Sequence, residues 1–352
     1  MGNWEDGYTA TWSAVRVDPD NWYDTGVTID IDSFTLTKNV EDQTPLIETG
    51  TITFIEDNIP NGFVAGWYRI EMLANFTDGS FAREPIATLL FEKATDDNDY
   101  SRDLVKANGY SVLKPVAESL RLACEWIAKG SNGAEWAASE IRKCTPAPVV
   151  VHGSFTVDDY YVFNGGEKRL TGVWTVLDSA GWIIWIEGDG TINIGPKPTD
   201  PAFTLDKQNS TDVMLCGITR EQAIDDTYNR YIAVKGLQTA IVENHLVGSE
   251  TSIEARGREI DYYDDDVILT NGETLSMYAA RNLEELSIIK RRYSYSREYV
   301  PELYPMFVVR GRVEEMDEDE LRIVSQSVDC THGLVVSEEA VSEEVTWTAA
   351  QA

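Results

Sequence analysis

The sequence is poor in positive charge and in histidine. Of its 352 residues, 29 are lysine or arginine, 60 are aspartate or glutamate and 3 are histidine, so the formal charge at pH 7 is −31. Because proteins bind DNA and RNA largely through cationic groups that displace counterions from phosphates, this balance argues against a dedicated nucleic-acid binder. The apolar fraction of 43 % is ordinary for a globular protein, and the length predicts two or three domains.

Cysteine and long apolar runs are also scarce. The four cysteines are Cys124, Cys144, Cys216 and Cys330. They contain no C-x-x-C pair, so we interpret them as free thiols rather than as a zinc or redox motif. Runs such as Trp182–Ile186 are far shorter than the roughly 20 apolar residues of a membrane helix. Residues 1–6 lack the features of a signal peptide, so we expect a soluble protein that is made without a signal sequence and has no membrane-spanning segment.

Common catalytic signatures are missing. His152, His245 and His332 do not have the H-x-x-x-H spacing of helical zinc sites, and no G-x-S-x-G, Walker A or G-x-G-x-x-G motif occurs. With 60 carboxylates, a pair at a glycosidase-like separation is expected by chance. We therefore predict a protein that is not an enzyme and uses no cofactor or metal ion.

Short alternating segments predict a mainly β protein. Val27–Ile31 and Thr51–Ile55 have the period-two pattern of strands and are separated by turn residues. The polar stretch Ala94–Asp99 has no periodicity, so we place a boundary there and an N-terminal tube-like β domain at 1–97.

The segment 98–200 is predicted to be a mixed α/β middle domain. Apolar residues recur at helical spacing over 115–127, and Ala134–Lys143 predicts a second, shorter helix. Further on, Gly188 and Gly190 separate two apolar runs, which predicts a hairpin over 182–194 onto which Val173–Leu177 packs. The prolines near 195–201 indicate a connector.

The remaining segment, 201–352, is predicted to be a second β-barrel module. A helix at about 274–286 has an apolar stripe along one side, so we expect it to cover a sheet. The strands expected here are 228–234, 239–242, 288–299, 307–313 and 321–328. The acidic segment 337–344 is interpreted as a partly exposed tail. The fold class is therefore α+β, mainly β.

An acidic cluster is the first candidate site. Residues 261–266 include Asp264, Asp265 and Asp266, whose carboxylates could chelate a hard cation such as Ca²⁺ but lack the spacing of a known calcium loop. We favour a solvated loop or an acidic channel surface over a metal site.

A basic cluster is the second candidate site. It consists of Lys290, Arg291, Arg292 and Arg297 in a tyrosine-rich predicted strand. Stacking on nucleic acid is one interpretation. Because the whole chain is strongly acidic, we favour a contact with the acidic surface of a neighbouring subunit.

Spaced apolar and turn patterns extend over most of the chain. They are Gly109–Pro115, Trp174–Pro198, Asp226–Val234, Ser252–Glu259, Ser276–Leu283, Tyr299–Leu303 and Ser325–Val328. These segments, and the stretch 225–340 as a whole, resemble phage tail baseplate hub proteins, which are also called tail-associated or tail-tip proteins. The resemblance rests on these patterns and not on a catalytic signature.

The resemblance implies a structural protein of the virion, at the tail tip or baseplate, made in the host cytoplasm. It implies a homotrimeric ring in which each chain contributes two tube-like antiparallel β-barrel modules around a helix-containing middle domain. Such a ring adapts the sixfold tail tube to threefold tip structures. The implied partners are the distal tail or tail tube protein, the tape measure protein, and tail fibre or spike proteins.

A central channel would let DNA pass without specific binding. Carboxylates that line a channel repel phosphates, so the negative charge would lubricate ejection, whereas charge on the outside would serve solubility alone.

Two other functions stay open. The first is a carbohydrate-binding host-adhesion module, because ten tryptophans and sixteen tyrosines could stack on sugars, although Trp174, Trp182 and Trp185 lie in predicted core elements. The second is a cell-wall hydrolase.

Overall fold

The computed structural model describes residues 8–40, 47–55, 64–99, 102–206, 217–222, 227–265, 267, 269, 273–289, 291–300, 302–312, 320–330 and 335–342. The first seven strands are β1 (Tyr8–Val17), β2 (Asp24–Asp30), β3 (Ser33–Asn39), β4 (Glu48–Ile55), β5 (Gly66–Phe76), β6 (Phe81–Asp99) and β7 (Arg102–Tyr110). The middle elements are α1 (Lys114–Glu118), β8 (Glu125–Ile127), α2 (Gly133–Arg142), β9 (Val149–Val151), β10 (Tyr161–Phe163), α3 (Arg169–Asp178), β11 (Trp182–Ile186) and β12 (Ile192–Pro196). The last elements are β13 (Pro201–Asp206), β14 (Thr219–Gln222), β15 (Arg230–Lys235), β16 (Gln238–Glu243), α4 (Ile253–Arg256), β17 (Asp261–Asp264), α5 (Leu275–Leu286), β18 (Arg291–Glu298), β19 (Val308–Arg312), β20 (Glu320–Asp329) and β21 (Val335–Ser342).

One sheet of thirteen strands combines both ends of the chain. Its order is β14-β18-β21-β20-β3-β4-β7-β6-β5-β1-β2, with β19 paired to β20 and β13 paired to β19. All of these pairs are antiparallel except β13–β19. The described strands form no closed barrel. The mainly β prediction is therefore confirmed, and the two-barrel layout stays a proposal.

The N-terminal strands form because apolar residues alternate along them. In β3, Phe34 and Leu36 are fully buried while the threonines between and after them are exposed. Glycine is needed where strands β4 and β7 cross this core. Gly50 and Gly109 are register partners, and a Cβ atom on Gly109 would lie 2.6 Å from the ring of Phe91.

The stretch Ala94–Asp99 is not irregular. It is the second half of β6 and pairs with β7, with Asp99 opposite Arg102. This stretch is therefore regular strand although its sequence has no apolar periodicity, because cross-strand pairing holds a polar sequence extended. The division of the chain at residues 97 and 200 remains a prediction.

The middle segment packs three helices on a small sheet. Strands β11 and β12 form the predicted hairpin, and β9 pairs parallel to β12. Helix α3 contributes Val173 and Leu177 to the same core as Ile184, which confirms the packing expected for this segment. Helix α2 confirms the second predicted helix.

The helix predicted over 115–127 is mostly wrong. Helix α1 ends at Glu118, because Ser119 is extended with ψ 127°. The residues that follow include β8, which pairs with a strand much later in the sequence, β10; Trp126, for example, lies opposite Val162. A partner that distant leaves no signal in the local apolar spacing.

The last segment contains a second small sheet with a covering helix. Strands β16, β15 and β17 form this sheet, and α5 packs on it through Ala279 and Leu283. The side chain of Thr274 accepts a hydrogen bond from the backbone N–H of Met277 and so caps α5. The strands expected at 288–299, 307–313 and 321–328 are confirmed as β18, β19 and β20. The segment interpreted as an acidic tail is instead strand β21, up to Ser342.

The described helices are all too short or too polar to cross a membrane. Of the four cysteines, Cys124, Cys144 and Cys330 are free thiols, and Cys216 lies outside the described residues.

Candidate functional site

The basic cluster does not form one exposed surface. Arg291 and Arg292 begin strand β18, and Arg292 forms an ion pair of 2.9 Å with Glu339 on β21. Arg297, at the other end of the strand, is 1 % exposed. Lys290 lies outside the described residues. Only the first part of the cluster is therefore placed where a neighbour could contact it.

Arg297 belongs to a buried network between strands. Its Nη2 donates to the Glu338 carboxylate at 2.5 Å, and its Nη1 donates to the backbone carbonyl of Glu298 at 2.8 Å. Gln326 donates to the same Glu338 oxygen at 2.7 Å. The prediction that Arg297 contacts another subunit is therefore wrong, because its charge is already neutralised within the chain.

The alternation of residues along β18 indicates from the sequence that Arg297 is buried. Arg297 has the same parity along β18 as Tyr293 and Tyr295, both of which face the core. Burial raises the pKa of Tyr295 well above its usual value, and the nearby Glu338 carboxylate adds to the effect. A charged residue that alternates with the same period as buried aromatic residues of its strand is therefore a candidate for a buried ion pair.

A small cavity lies where the three segments of the chain meet. Its volume is about 20 Å³. Its lining includes Leu36, Lys38, Ile86, Gly188, Arg297, Tyr304 and Gln326. This volume holds about one water molecule. The cavity is therefore part of a packed junction and far too small for an organic ligand.

A second buried ion pair stands beside that cavity. Lys38 lies 2.9 Å from Glu48, and both side chains are almost completely buried. The ammonium of Lys38 also lies over the ring of Tyr304, 5.3 Å from its centre. Burial raises the pKa of Glu48, and the charge of Lys38 opposes that effect. The junction therefore contains cations that are each matched by a carboxylate.

The acidic cluster is ordered over most of its length. Asp261–Asp264 is strand β17, parallel to β15, so the loop interpretation is wrong for these residues. Asp264 accepts hydrogen bonds from the hydroxyls of Tyr231 at 2.6 Å and Tyr278 at 2.9 Å. Burial and the bond to Asp264 raise the pKa of Tyr231. Asp265 is exposed, and Asp266 lies outside the described residues.

Asp261 is neutralised by a neighbouring strand. Arg230 donates to it through Nε at 2.6 Å and through Nη2 at 2.8 Å, a bidentate arrangement that lowers the pKa of Asp261. Glu259 pairs with the same guanidinium. No group of three or more potential metal ligands occurs among the described residues. The cluster is therefore used for cross-strand pairing where the structure describes it.

A charge network in the middle segment escaped the sequence analysis. Glu140 on α2 accepts hydrogen bonds from Arg121 at 2.9 Å and Arg169 at 2.8 Å, and all three side chains are mostly or fully buried. The guanidinium of Arg121 also lies 4.5 Å from the ring centre of Phe163. The network connects α2, α3 and the β8–β10 pair, so its role is structural.

The aromatic residues divide into core and surface groups. Trp182 is buried, Trp174 and Trp185 are half-buried, and Trp185 stacks on His152. These positions match the expectation that the three tryptophans serve packing. Trp126 on β8 is 64 % exposed, and its cross-strand neighbour Val162 is 60 % exposed.

The histidines are likewise engaged in local contacts. His245 lies between the carboxylates of Glu243 and Glu254 at the surface, and hydrogen bonds to them raise its pKa. His332 lies outside the described residues.

Comparison with known proteins finds the same fold in solved phage tail proteins. No protein-family model matches the sequence. No curated protein sequence matches it either. Among solved structures, a tail protein from Neisseria meningitidis superposes with a TM-score of 0.66 at 12 % identity, over 96 % of this chain and 98 % of that one.

Two further tail proteins give similar results. The 43 kDa tail protein of prophage MuSo2 from Shewanella oneidensis has a TM-score of 0.62 at 10 % identity, over 96 % of this chain and 97 % of that one. The prophage tail protein gp18 from Listeria monocytogenes has a TM-score of 0.53 at 11 % identity, over 96 % and 95 % of the two chains. The resemblance drawn from the sequence is therefore confirmed in the fold: over 96 % of its length, this chain is similar to solved phage tail proteins.

Proposed function

We propose that this chain is a non-enzymatic structural protein of a phage tail, located at the tail tip or baseplate of the virion. The observation that carries the proposal is the extent of the fold similarity. It covers 96 % of this chain and 98 % of the tail protein from Neisseria meningitidis, so it is not a likeness of one small module. The absence of a catalytic motif in the sequence agrees with a structural role.

The finer proposal is a homotrimeric ring that continues the tail tube. The proposal assigns strands β1–β7 of the large sheet to one β-rich unit and strands β13, β14 and β18–β21 of the same sheet to another. Pairing of β3 with β20 joins the two units within one chain. Three chains would place six such units around an axis, which is the arrangement needed to adapt a sixfold tube to a threefold tip.

The proposed partners follow from that position. The ring would contact the distal tail or tail tube protein on one side and the tape measure, fibre or spike proteins at other places. DNA would pass through the centre without specific binding. The formal charge of −31 supports this part of the proposal, because a carboxylate-lined channel offers phosphates no attraction.

The mass of the purified protein in solution tests the ring. Light scattering over a concentration series, with negative-stain images of the same samples, should give three times the chain mass of 39.4 kDa and particles with a central hole. A trimer without a hole contradicts the channel. A monomer at every concentration contradicts the trimer.

The role of negative charge is tested at Asp265. This residue is exposed, whereas its neighbour Asp264 is bonded to two tyrosines and would change the fold if reversed. Virions that contain Asp265→Lys should eject DNA more slowly than virions with Asp265→Asn if the residue faces the channel. Equal ejection rates would mean that this part of the cluster faces outward and serves solubility.

A second candidate function, host adhesion through carbohydrate, is favoured by one observation. Trp126 is exposed beside Val162, and Tyr160 nearby is 63 % exposed. Exposed aromatic faces can stack on sugars. A glycan array should then show binding that Trp126→Ala abolishes. Tyr23→Ala, at an aromatic residue between β1 and β2 that is 75 % exposed, should leave this binding intact. No binding by the unchanged protein would remove this candidate.

A further inference from the structure

A row of buried polar side chains crosses the large sheet where strands from the two ends of the chain meet. We propose that this row is completed by one internal water molecule, which Lys38, Arg297 and Gln326 bind in the small cavity at the junction. The proposal goes beyond the role in a phage tail and does not depend on it.

The row follows the register of the strands. Glu48 on β4 lies opposite Lys38 on β3, and Lys38 lies opposite Gln326 on β20. Gln326 in turn lies opposite Glu338 on β21. Register partners share one face of a sheet, and each of these four side chains is at most 6 % exposed. Arg297 joins the row from β18 through its ion pair with Glu338. Polar groups buried in this way are expected to have hydrogen-bond partners.

Three side chains of the row line the cavity and have hydrogen-bonding groups left over. The Nε of Arg297 has no hydrogen-bond partner among the described residues. Gln326 donates from its amide nitrogen to the Leu303 carbonyl at 3.0 Å and to Glu338 at 2.7 Å, so its carbonyl oxygen can still accept. The ion pair of Lys38 with a carboxylate occupies one of its three N–H donors. The lining therefore offers two cationic donors and one neutral acceptor.

Water matches this lining in size and in chemistry. The cavity volume of about 20 Å³ exceeds the roughly 10–15 Å³ that one water requires, and internal waters make about three hydrogen bonds to protein groups. Water can accept from the two cations and donate to the carbonyl of Gln326. An anion fits less well, because each cation already has a carboxylate partner and the carboxylate residue Glu302 also lines the cavity. A metal cation would face N–H donors.

The water would connect strands from both ends of the chain. Lys38 lies on β3, whereas Gln326 and Arg297 lie on β20 and β18. Its hydrogen bonds would therefore span the pairing of β3 with β20. Because a bridging water is nearly as favourable in enthalpy as a direct hydrogen bond, it would contribute to that pairing without any direct contact between Lys38 and Arg297.

Crystals of the full chain grown in sodium bromide distinguish water from a halide ion. We expect one density peak within hydrogen-bond distance of Lys38, Arg297 and Gln326, without an anomalous signal at the bromine absorption edge. An anomalous peak in the cavity would identify an anion and overturn the inference. A cavity without any peak, in a map that shows other ordered waters, would overturn it as well.

Water relaxation in solution gives an independent result. Val328 lines the cavity, whereas Val309 is a fully buried residue outside its lining. Val328→Ile adds a methyl group that should displace the water, so oxygen-17 magnetic relaxation dispersion should count one long-lived water fewer than in the unchanged protein. Val309→Ile should keep the full count. Circular dichroism checks that each variant folds, and Val336→Ile, at the same cavity, replaces Val328→Ile if that variant does not. Equal counts in the unchanged protein and both variants would overturn the inference and leave the proposed function standing.

Discussion

Arg297 and Glu338 form an ion pair that is buried on both sides, with Nη2 2.5 Å from Oε1. The pair joins neighbouring strands β18 and β21, and Gln326 adds a hydrogen bond from β20. A buried charge is tolerated only when it is neutralised and hydrogen-bonded. The C-terminal half of the large sheet therefore depends on both partners being present.

Removing one partner of this pair should destabilise the protein strongly. We expect Arg297→Met to lower the free energy of unfolding by about 3–5 kcal/mol, because it leaves the Glu338 carboxylate buried without its cation. The double variant with Glu338→Met should be clearly more stable than the single one. Urea unfolding followed by tryptophan fluorescence measures both.

The matched control is a more exposed ion pair between strands β19 and β20 of the same sheet. Arg310 lies 2.5 Å from Glu320, and both side chains are close to half exposed. Because water and salt screen such pairs, Arg310→Met should cost less than about 1 kcal/mol. Equal losses of unfolding free energy in Arg297→Met and Arg310→Met would show that burial of Arg297 does not determine how much it stabilises the protein.

Acidification should destabilise the middle segment, because it protonates the Glu140 carboxylate. Burial alone would raise the pKa of this carboxyl, but Lys143, Arg121 and Arg169 together outweigh burial and lower it. A carboxyl with a lowered pKa stabilises the fold above its unfolded pKa of about 4.5 and loses that contribution as pH falls through the folded value. Glu140→Gln should therefore be less stable at pH 7, and should lose less stability than the unchanged protein between pH 5 and pH 3. Parallel pH profiles of thermal unfolding would contradict this assignment.

Gly188 should tolerate no side chain. A Cβ atom there would lie 1.8 Å from the carbonyl oxygen of Pro85, and the Gly188 carbonyl accepts a hydrogen bond from Thr88 at 2.9 Å. We expect Gly188→Ala to cost about 2–3 kcal/mol, because the hairpin must move off β6. At Gly165 the nearest atoms to an added Cβ are 3.6 Å away, so Gly165→Ala should be close to neutral. Denaturant midpoints of the two variants give the comparison.

The two adjacent aspartates Asp264 and Asp265 should behave differently. Asp264→Ala removes the hydrogen-bond acceptor of the Tyr231 and Tyr278 hydroxyls and should lower the free energy of unfolding by about 2 kcal/mol. Asp265→Ala, at an exposed position, should stay within about 0.5 kcal/mol. Similar losses in thermal unfolding would mean that the hydrogen bonds of Asp264 contribute little.

Local patterns in the sequence predict the elements that depend on local contacts. The helix after Thr274 has an apolar stripe, and the hairpin around Gly188 has its turn residues between two apolar runs. Both lie where the sequence places them. The residues that stabilise these two elements are close in sequence, so the local apolar spacing is enough to predict them.

Elements held by distant partners are the ones that the sequence analysis misplaced. The pairing of β8 with β10 ends the expected helix early, and pairing with β18 and β20 makes a strand of the segment interpreted as an acidic tail. In the sequence, Glu338 resembles a surface residue; the sheet places Arg297 on the same face, two positions along β18 from Tyr295, the register partner of Glu338. Whether a charged strand residue faces the core or the solvent can be predicted only by asking whether it lies an even number of positions from buried residues of the same strand.

The pairing of β3 with β20 also has a consequence for biosynthesis. Thr35 and Asp329 are register partners, so β3 obtains its neighbour on that side only after nearly the whole described chain has left the ribosome. At about 5–20 residues per second, an apolar strand edge is open for many seconds during each round of translation. Contacts between residues this far apart in sequence also slow folding. High expression should therefore favour aggregation of nascent chains, and slower translation or a chaperone that covers strand edges should raise the yield of folded protein.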